Sequence, residues 1–147
     1  MSALSSPPVL TAPPGLSTPS GLLQLDDLPN DLREALVSYM RTHAVYLDPY
    51  NASGECSNSA TSLSTMMRMW RSRYLTEVVV WDLLGVEDKK SLVPPWVHHI
   101  YFCDCCHGPG RDWWCHCLLL VDQKWCVDFT ARQFCANSPW PVIWMVH

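Results

Sequence analysis

The stretch Cys115-His116-Cys117-Leu118-Leu119-Leu120-Val121-Asp122-Gln123-Lys124-Trp125-Cys126-Val127-Asp128-Phe129 decides the fold. Two apolar runs, Cys117–Val121 and Trp125–Phe129, flank the polar break Asp122-Gln123-Lys124, which is the pattern of a β-hairpin. Side chains alternate along a strand, so loop length fixes which residues share a face. With a loop at 122–124, Val121 pairs with Trp125 and Leu118 lies opposite Asp128. His116 is then diagonal to Asp128 on the same face, about 7–8 Å away. A loop at 121–123 sets His116 and Asp128 directly opposite each other, and a loop at 122–123 sends them to different faces. Two of these three registers bring an imidazole within reach of a carboxylate.

Upstream of the hairpin the pattern is helical. Leu32, Ala35, Leu36 and Tyr39 recur at helical spacing, with Asn30 as N-cap and Asp31 and Glu34 in the first turn. This predicts a helix from Asp31 to about Tyr46, followed by a loop over Asp48–Gly54. From Cys56, the positions Ala60, Leu63, Met67 and Trp70 step by three or four and define one helix face. Tyr74–Leu84 fits strand or helix, Glu87–Pro95 reads as loop, Val97–Cys103 as strand, and Val142–Val146 as a final strand. Helices first and antiparallel strands after predict an α+β domain, with N-terminal helices packed on a C-terminal antiparallel sheet.

Of the 147 residues, 1–21 carry no charged side chain and include Pro7-Pro8 and Pro13-Pro14. They read as an extended or disordered tail ahead of one domain over 22–147. The net charge is −4 without a basic run, which argues against nucleic acid. No segment approaches the roughly 18 apolar residues that span a bilayer. The start of the chain does not read as a secretory signal. Seven of the eight cysteines lie between Cys103 and Cys135, so they read as reduced thiols of a soluble cytoplasmic protein, or of one delivered into a target cell as an effector.

Chemistry enters with Cys56, His116 and Asp128. Cys56 opens a helix, where the dipole and free N–H groups favour a thiolate. A thiol nucleophile needs a base, and the base needs an orienting group. Taken singly, each residue has a plainer explanation: a small side chain packed under a helix, a satisfied sheet histidine, a turn-capping aspartate. Their joint placement points to a thiol enzyme.

The order Cys, His, Asp, with the Cys opening a helix and the other two on adjacent strands, resembles the papain-like and transglutaminase-like superfamily. Small bacterial papain-fold enzymes, including toxin-type glutamine deamidases, are the most similar in look. Val127-Asp128-Phe129-Thr130-Ala131-Arg132-Gln133-Phe134 is the most specific segment, and the likeness spans about Ser53 to Phe134. The resemblance implies a papain-like fold, with Cys56 as nucleophile, His116 as base and then acid, and Asp128 as orienter. It implies a protein substrate and no cofactor. Papain-type enzymes usually carry an oxyanion-stabilising Gln just before the nucleophile. None stands near Cys56 in sequence, and Asn51 is the substitute considered, with the Cys56 N–H as second donor.

Two other readings compete. Cys103, Cys105, Cys106, His107 and Cys115 could supply the thiolate and imidazole ligands of a structural zinc, folded together by Gly108-Pro109-Gly110. The chain would then be a zinc-structured binding module without catalysis. Alternatively, Trp113, Trp114 and Trp140 could anchor a partner on an aromatic surface.

Overall fold

The computed structural model describes residues 9–10, 21–83, 95–104, 106, 108–110 and 115–145. Within these, α1 (Asn30–Thr42), the one-turn α2 (Pro49–Ala52) and α3 (Cys56–Met69) precede β2 (Thr76–Asp82). Then come α4 (Pro95–Tyr101), β3 (Cys115–Val121), β4 (Trp125–Asp128) and β5 (Val142–Met145). β1 is the two-residue Val9–Leu10. The sheet order is β1-β2-β3-β4-β5, antiparallel from β2 onward, so the fold is α+β.

The hairpin takes the three-residue loop. Val121 pairs with Trp125 and Leu119 with Val127. Asp122 and Gln123 both have positive φ (52° and 53°), and the Lys124 N–H donates to the Val121 carbonyl at 2.9 Å. Asp and Gln tolerate this conformation, Asp better, and it matches the twist of the flanking strands.

β3 is apolar at consecutive positions because both sheet faces are covered. Leu119 and Val121 pack with Leu32, Leu36 and Tyr39 of α1 and Leu63 and Met67 of α3. Leu118 and Leu120 pack on the opposite side with Val97, Ile100 and Tyr101 of α4 and with Trp81 and Trp144. Burying a leucine fully contributes about 1.5–3 kcal/mol, so both layers hold the centre of the sheet. Predicted α3 and the final strand are present, and Tyr74–Leu84, open between strand and helix, contains β2.

Four expectations need correction. Val97–Cys103 is not a strand: Pro95 begins α4, and Val97, Ile100 and Tyr101 fall at helical i, i+3, i+4 spacing. The first helix stops at Thr42, with Ala44–Leu47 continuing as a 3₁₀ turn rather than an α-helix to Tyr46. Asn30 is not the cap but the first helical residue, its Oδ1 accepting from Arg33 Nη2 at 3.2 Å. Asp48–Gly54 is not wholly loop. Asp48 caps α2, accepting the Tyr50 and Asn51 N–H groups at 2.8 and 3.4 Å, while Pro49 occupies the first turn. In addition, Val9–Leu10, inside the expected tail, pair in parallel with Val80 and Trp81. The rest of residues 1–20 and the expected loop over 87–94 lie outside the described residues.

Candidate active site

β3 and β4 place the first pair. His116 and Asp128 lie on one face at the end of the hairpin remote from its turn, diagonal across the ladder, as the 122–124 loop requires. His116 Nε2 is 2.6 Å from Asp128 Oδ2, with both side chains sealed from solvent. The same Oδ2 accepts the Tyr101 hydroxyl at 2.6 Å, so α4 grips the carboxylate from the far side. Oδ1 accepts the Thr130 N–H at 2.9 Å and its hydroxyl at 3.3 Å. Asp128 thus holds the imidazole and also closes the turn at Thr130; its two explanations are compatible. Phe134 stands edge-on to the imidazole at 4.9 Å, and Tyr101 lies 5.7 Å from it.

Charge in this pocket is decided by competition. Burial favours a neutral Asp128, but the His116 charge and hydrogen bonds from His116, Tyr101 and Thr130 hold the carboxyl below its ordinary range. Burial likewise opposes a charged His116, yet the Asp128 charge and hydrogen bond, aided by the Cys56 sulfur, push it up to about 10. His116 Nδ1 is buried without a hydrogen bond of normal geometry. The Cys56 sulfur, whose field and hydrogen-bonding capacity His116 feels, is the group left for it.

Gly54 and α3 deliver Cys56. Gly54 has φ 75°, a turn that glycine makes without a Cβ penalty, and Cys56 is the first residue of the helix. Glu55 caps α3 without a side-chain bond, which leaves the helix N-terminus available to an anion. The Cys56 thiol is held far below its usual value, at about 4. The largest cause is a hydrogen bond from the Cys117 thiol; burial opposes it, and His116 adds a hydrogen bond and its charge. Cys117, the donor, is pushed up correspondingly. Its place beside Cys56 follows from strand alternation, yet sequence reading gave it no role.

Asn51 is not brought into this arrangement. It is exposed on α2, and its recorded hydrogen bond is the backbone one to Asp48. Gln133, to which sequence reading gave no role, contacts the turn just ahead of Cys56. The turn Ala131–Gln133 packs against α2, and the Gln133 side chain is buried (1% exposed). Its Oε1 accepts the Gly54 N–H at 3.4 Å, two residues ahead of Cys56, and its Nε2 is buried without a partner among the described residues. The Gly54 contact identifies which end of the amide is oxygen. An unpaired buried donor costs about 1–3 kcal/mol. The signal in sequence was an amide set between Ala131 and Phe134, both of them core residues.

Volume and chemistry do not coincide. Two grooves of about 490 Å³ run along α1, one lined by Asp31, Glu34, Trp70, Arg71 and Arg73, the other by Arg33, Glu34 and Arg41. Neither contains a thiol or imidazole among its lining residues. The space touching Cys56, Ser59, Asp128 and Thr130 is only about 10 Å³, room for one water. The groove sizes carry no argument for catalysis, since a nucleophile needs its base more than a large pocket.

The competing constellations fare differently. Cys105 and His107 lie outside the described residues, as do Trp113 and Trp114. Cys115 is exposed at the start of β3, and is not part of the thiol group formed by Cys103, Cys106 and Cys135. Trp140 packs edge-on to Phe129 at 5.4 Å and donates from Nε1 to the Phe129 carbonyl at 2.9 Å, so it serves the core. Among the described residues no helix is long and apolar enough to cross a membrane.

The ionisation pattern gives a test that needs no substrate. A thiolate forms above the Cys56 value, so Cys56 alkylation should slow only as pH falls through about 4. The charge on His116 should persist until pH rises through about 10. Rate measurements with iodoacetamide across pH, read by peptide mapping, check the acid limb. A limb at the free-thiol value of about 8.5 would show that Cys56 is not activated.

No protein-family model matches the chain, and neither does any curated protein or solved structure.

Proposed function

We propose that this chain is a thiol enzyme of papain-like kind that hydrolyses an amide on a protein, with a glutamine side chain as the favoured substrate. The observation that carries this reading is the chain of Asp128, His116 and the half-buried Cys56 thiol, with the His116–Asp128 bond buried and 2.6 Å long. The Cys56 thiolate adds to the amide carbon, forming a C–S bond and an oxyanion. The Cys56 N–H at the head of α3 and Gln133 Nε2 are the donors suited to that oxygen. His116 gives its proton to the leaving nitrogen as the C–N bond breaks, leaving a thioester. It then takes a proton from water, whose oxygen displaces the sulfur and releases a carboxylate. Asp128 holds the ring and its charge through both steps.

Loss of ammonia from a glutamine side chain and cleavage of a main-chain amide share this thioester. Incubating the protein with lysate proteins and reading intact masses and peptides separates them. Deamidation is expected, seen as the small mass gain of replacing an amide nitrogen by oxygen, with chains uncut. New termini would make the enzyme a protease. If Cys56→Ala produced the same changes as the native chain, or if neither changed any protein, the amide-hydrolase reading would fall.

A further inference from the structure

Away from Cys56, three other thiols converge where no catalytic role was assigned. Cys103 and Cys106 follow α4 in a C-x2-C spacing, and Cys135 follows the Ala131–Gln133 turn. The Cys106 sulfur is 3.3 Å from that of Cys103 and 3.6 Å from that of Cys135, and all three sulfurs lie within 4.8 Å of one another. A disulfide needs about 2.05 Å and would use only two of them. A tetrahedral ion with Zn–S bonds of about 2.3 Å sets neighbouring sulfurs about 3.8 Å apart. Two of these spacings fall slightly short of that value and all three lie within 4.8 Å, so one ion can serve all three sulfurs after small shifts.

We infer that Cys103, Cys106 and Cys135 form a zinc site, with three thiolates and a fourth position for water or a further donor. The surroundings suit it. The Ala136 N–H donates to the Cys106 sulfur at 3.2 Å, a bond that strengthens with sulfur charge. The Gly108 and Gly110 N–H groups donate to the carbonyls of Phe134 and Gln133 at 3.3 and 2.7 Å. This contact is so close that a Cβ on Gly108 would stand 2.2 Å from the Gln133 carbonyl oxygen. The two strands of backbone that carry the thiols are therefore already fastened in register. Each thiol loses its proton on coordination, and zinc stays divalent, so no oxidant or reductant is required. The set differs from the one suggested by sequence spacing: Cys135 enters and Cys115 leaves. None of the three belongs to the Cys56–His116–Asp128 group, so the site stands whether or not that group is catalytic.

Zinc and cobalt(II) are the probes. The full chain, purified under reducing conditions, is expected to hold about one zinc per molecule. Cobalt(II) should give thiolate-to-metal charge-transfer absorption and the visible bands of a tetrahedral centre, both abolished by added zinc. Cys135→Ser and Cys106→Ser should each lose these signals, Cys135→His should keep a tetrahedral ion with weaker charge transfer, and Cys115→Ser should match the native chain. Near-ultraviolet circular dichroism, which reads the packing of buried rings such as Trp81 and Trp144, reports in parallel whether each variant is folded. Absence of charge-transfer bands in the native chain would overturn the site. So would retention of metal in folded Cys135→Ser, or a Cys103–Cys106 disulfide in place of metal.

Discussion

Asp128→Asn is expected to lower turnover by about 10⁴-fold, the scale seen when the orienting carboxylate of another triad is neutralised. The reason lies in the four bonds the carboxylate accepts, from His116, Tyr101, the Thr130 N–H and the Thr130 hydroxyl. An asparagine has one oxygen for two opposed sets of donors. Its amide must therefore face either Thr130 or the His116–Tyr101 pair, donor against donor. The imidazolium also loses the charge that pushes it up to about 10. With a neutral imidazole beside it, the Cys56 thiol should titrate above about 4, only part of the way to an ordinary thiol, because the Cys117 hydrogen bond remains. The unmatched donor should cost about 1–3 kcal/mol of stability, leaving a folded chain. Alkylation of Cys56 across pH, run on the native chain, Asp128→Asn and His116→Ala, reads the effect directly. Identical profiles in all three would remove the triad from the account.

Gln133→Met is expected to slow acyl transfer by about 10²–10³-fold, the usual cost of one oxyanion donor. Methionine has nearly the same length and fits a buried position, but offers no N–H. The substitution also gives up the bond from the Gly54 N–H, a long one at 3.4 Å. Alkylation by iodoacetamide passes through no oxyanion, so its rate should be unchanged in the same variant. An activated ester measures acyl transfer, and the two assays together separate a donor role from mere misplacement of Cys56. Asn51→Ala should alter neither rate. A parallel loss in both assays for Gln133→Met would reduce Gln133 to a structural prop.

What the sequence made legible was chiefly what repeats or alternates. The Cys56 helix and the hairpin follow from periodicity, which left three registers open, two of them compatible with the His116–Asp128 pairing; the 122–124 loop decides among them. The segment before the hairpin misled because Val97–Cys103 contains β-branched and aromatic residues that suit a strand by composition. Its three-and-four spacing, after a Pro able to start a helix, was the better signal. Gln133 was hidden for a different reason. An oxyanion donor is usually sought close to its nucleophile in the chain, whereas here the 131–133 turn brings it to Gly54 from 79 positions away. The thiol trio was hidden likewise: Cys135 is remote from Cys103 and Cys106 in sequence, and the backbone bonds of Gly108, Gly110 and Ala136 hold it near.

The pairing of β1 with β2 has a consequence for behaviour in concentrated solution. Val9–Leu10 cover β2 only opposite Val80 and Trp81, so Thr76–Val79 have a described strand neighbour on one side alone. A part-open edge is a template on which another chain can add a strand. Glu77, held there by Gln123 Nε2 at 2.7 Å, puts a carboxylate where such an addition would begin. Val9–Leu10, inside a stretch whose composition reads as a tail, thus cover two positions of that edge, and their loss would lengthen the part of β2 on which a strand could add.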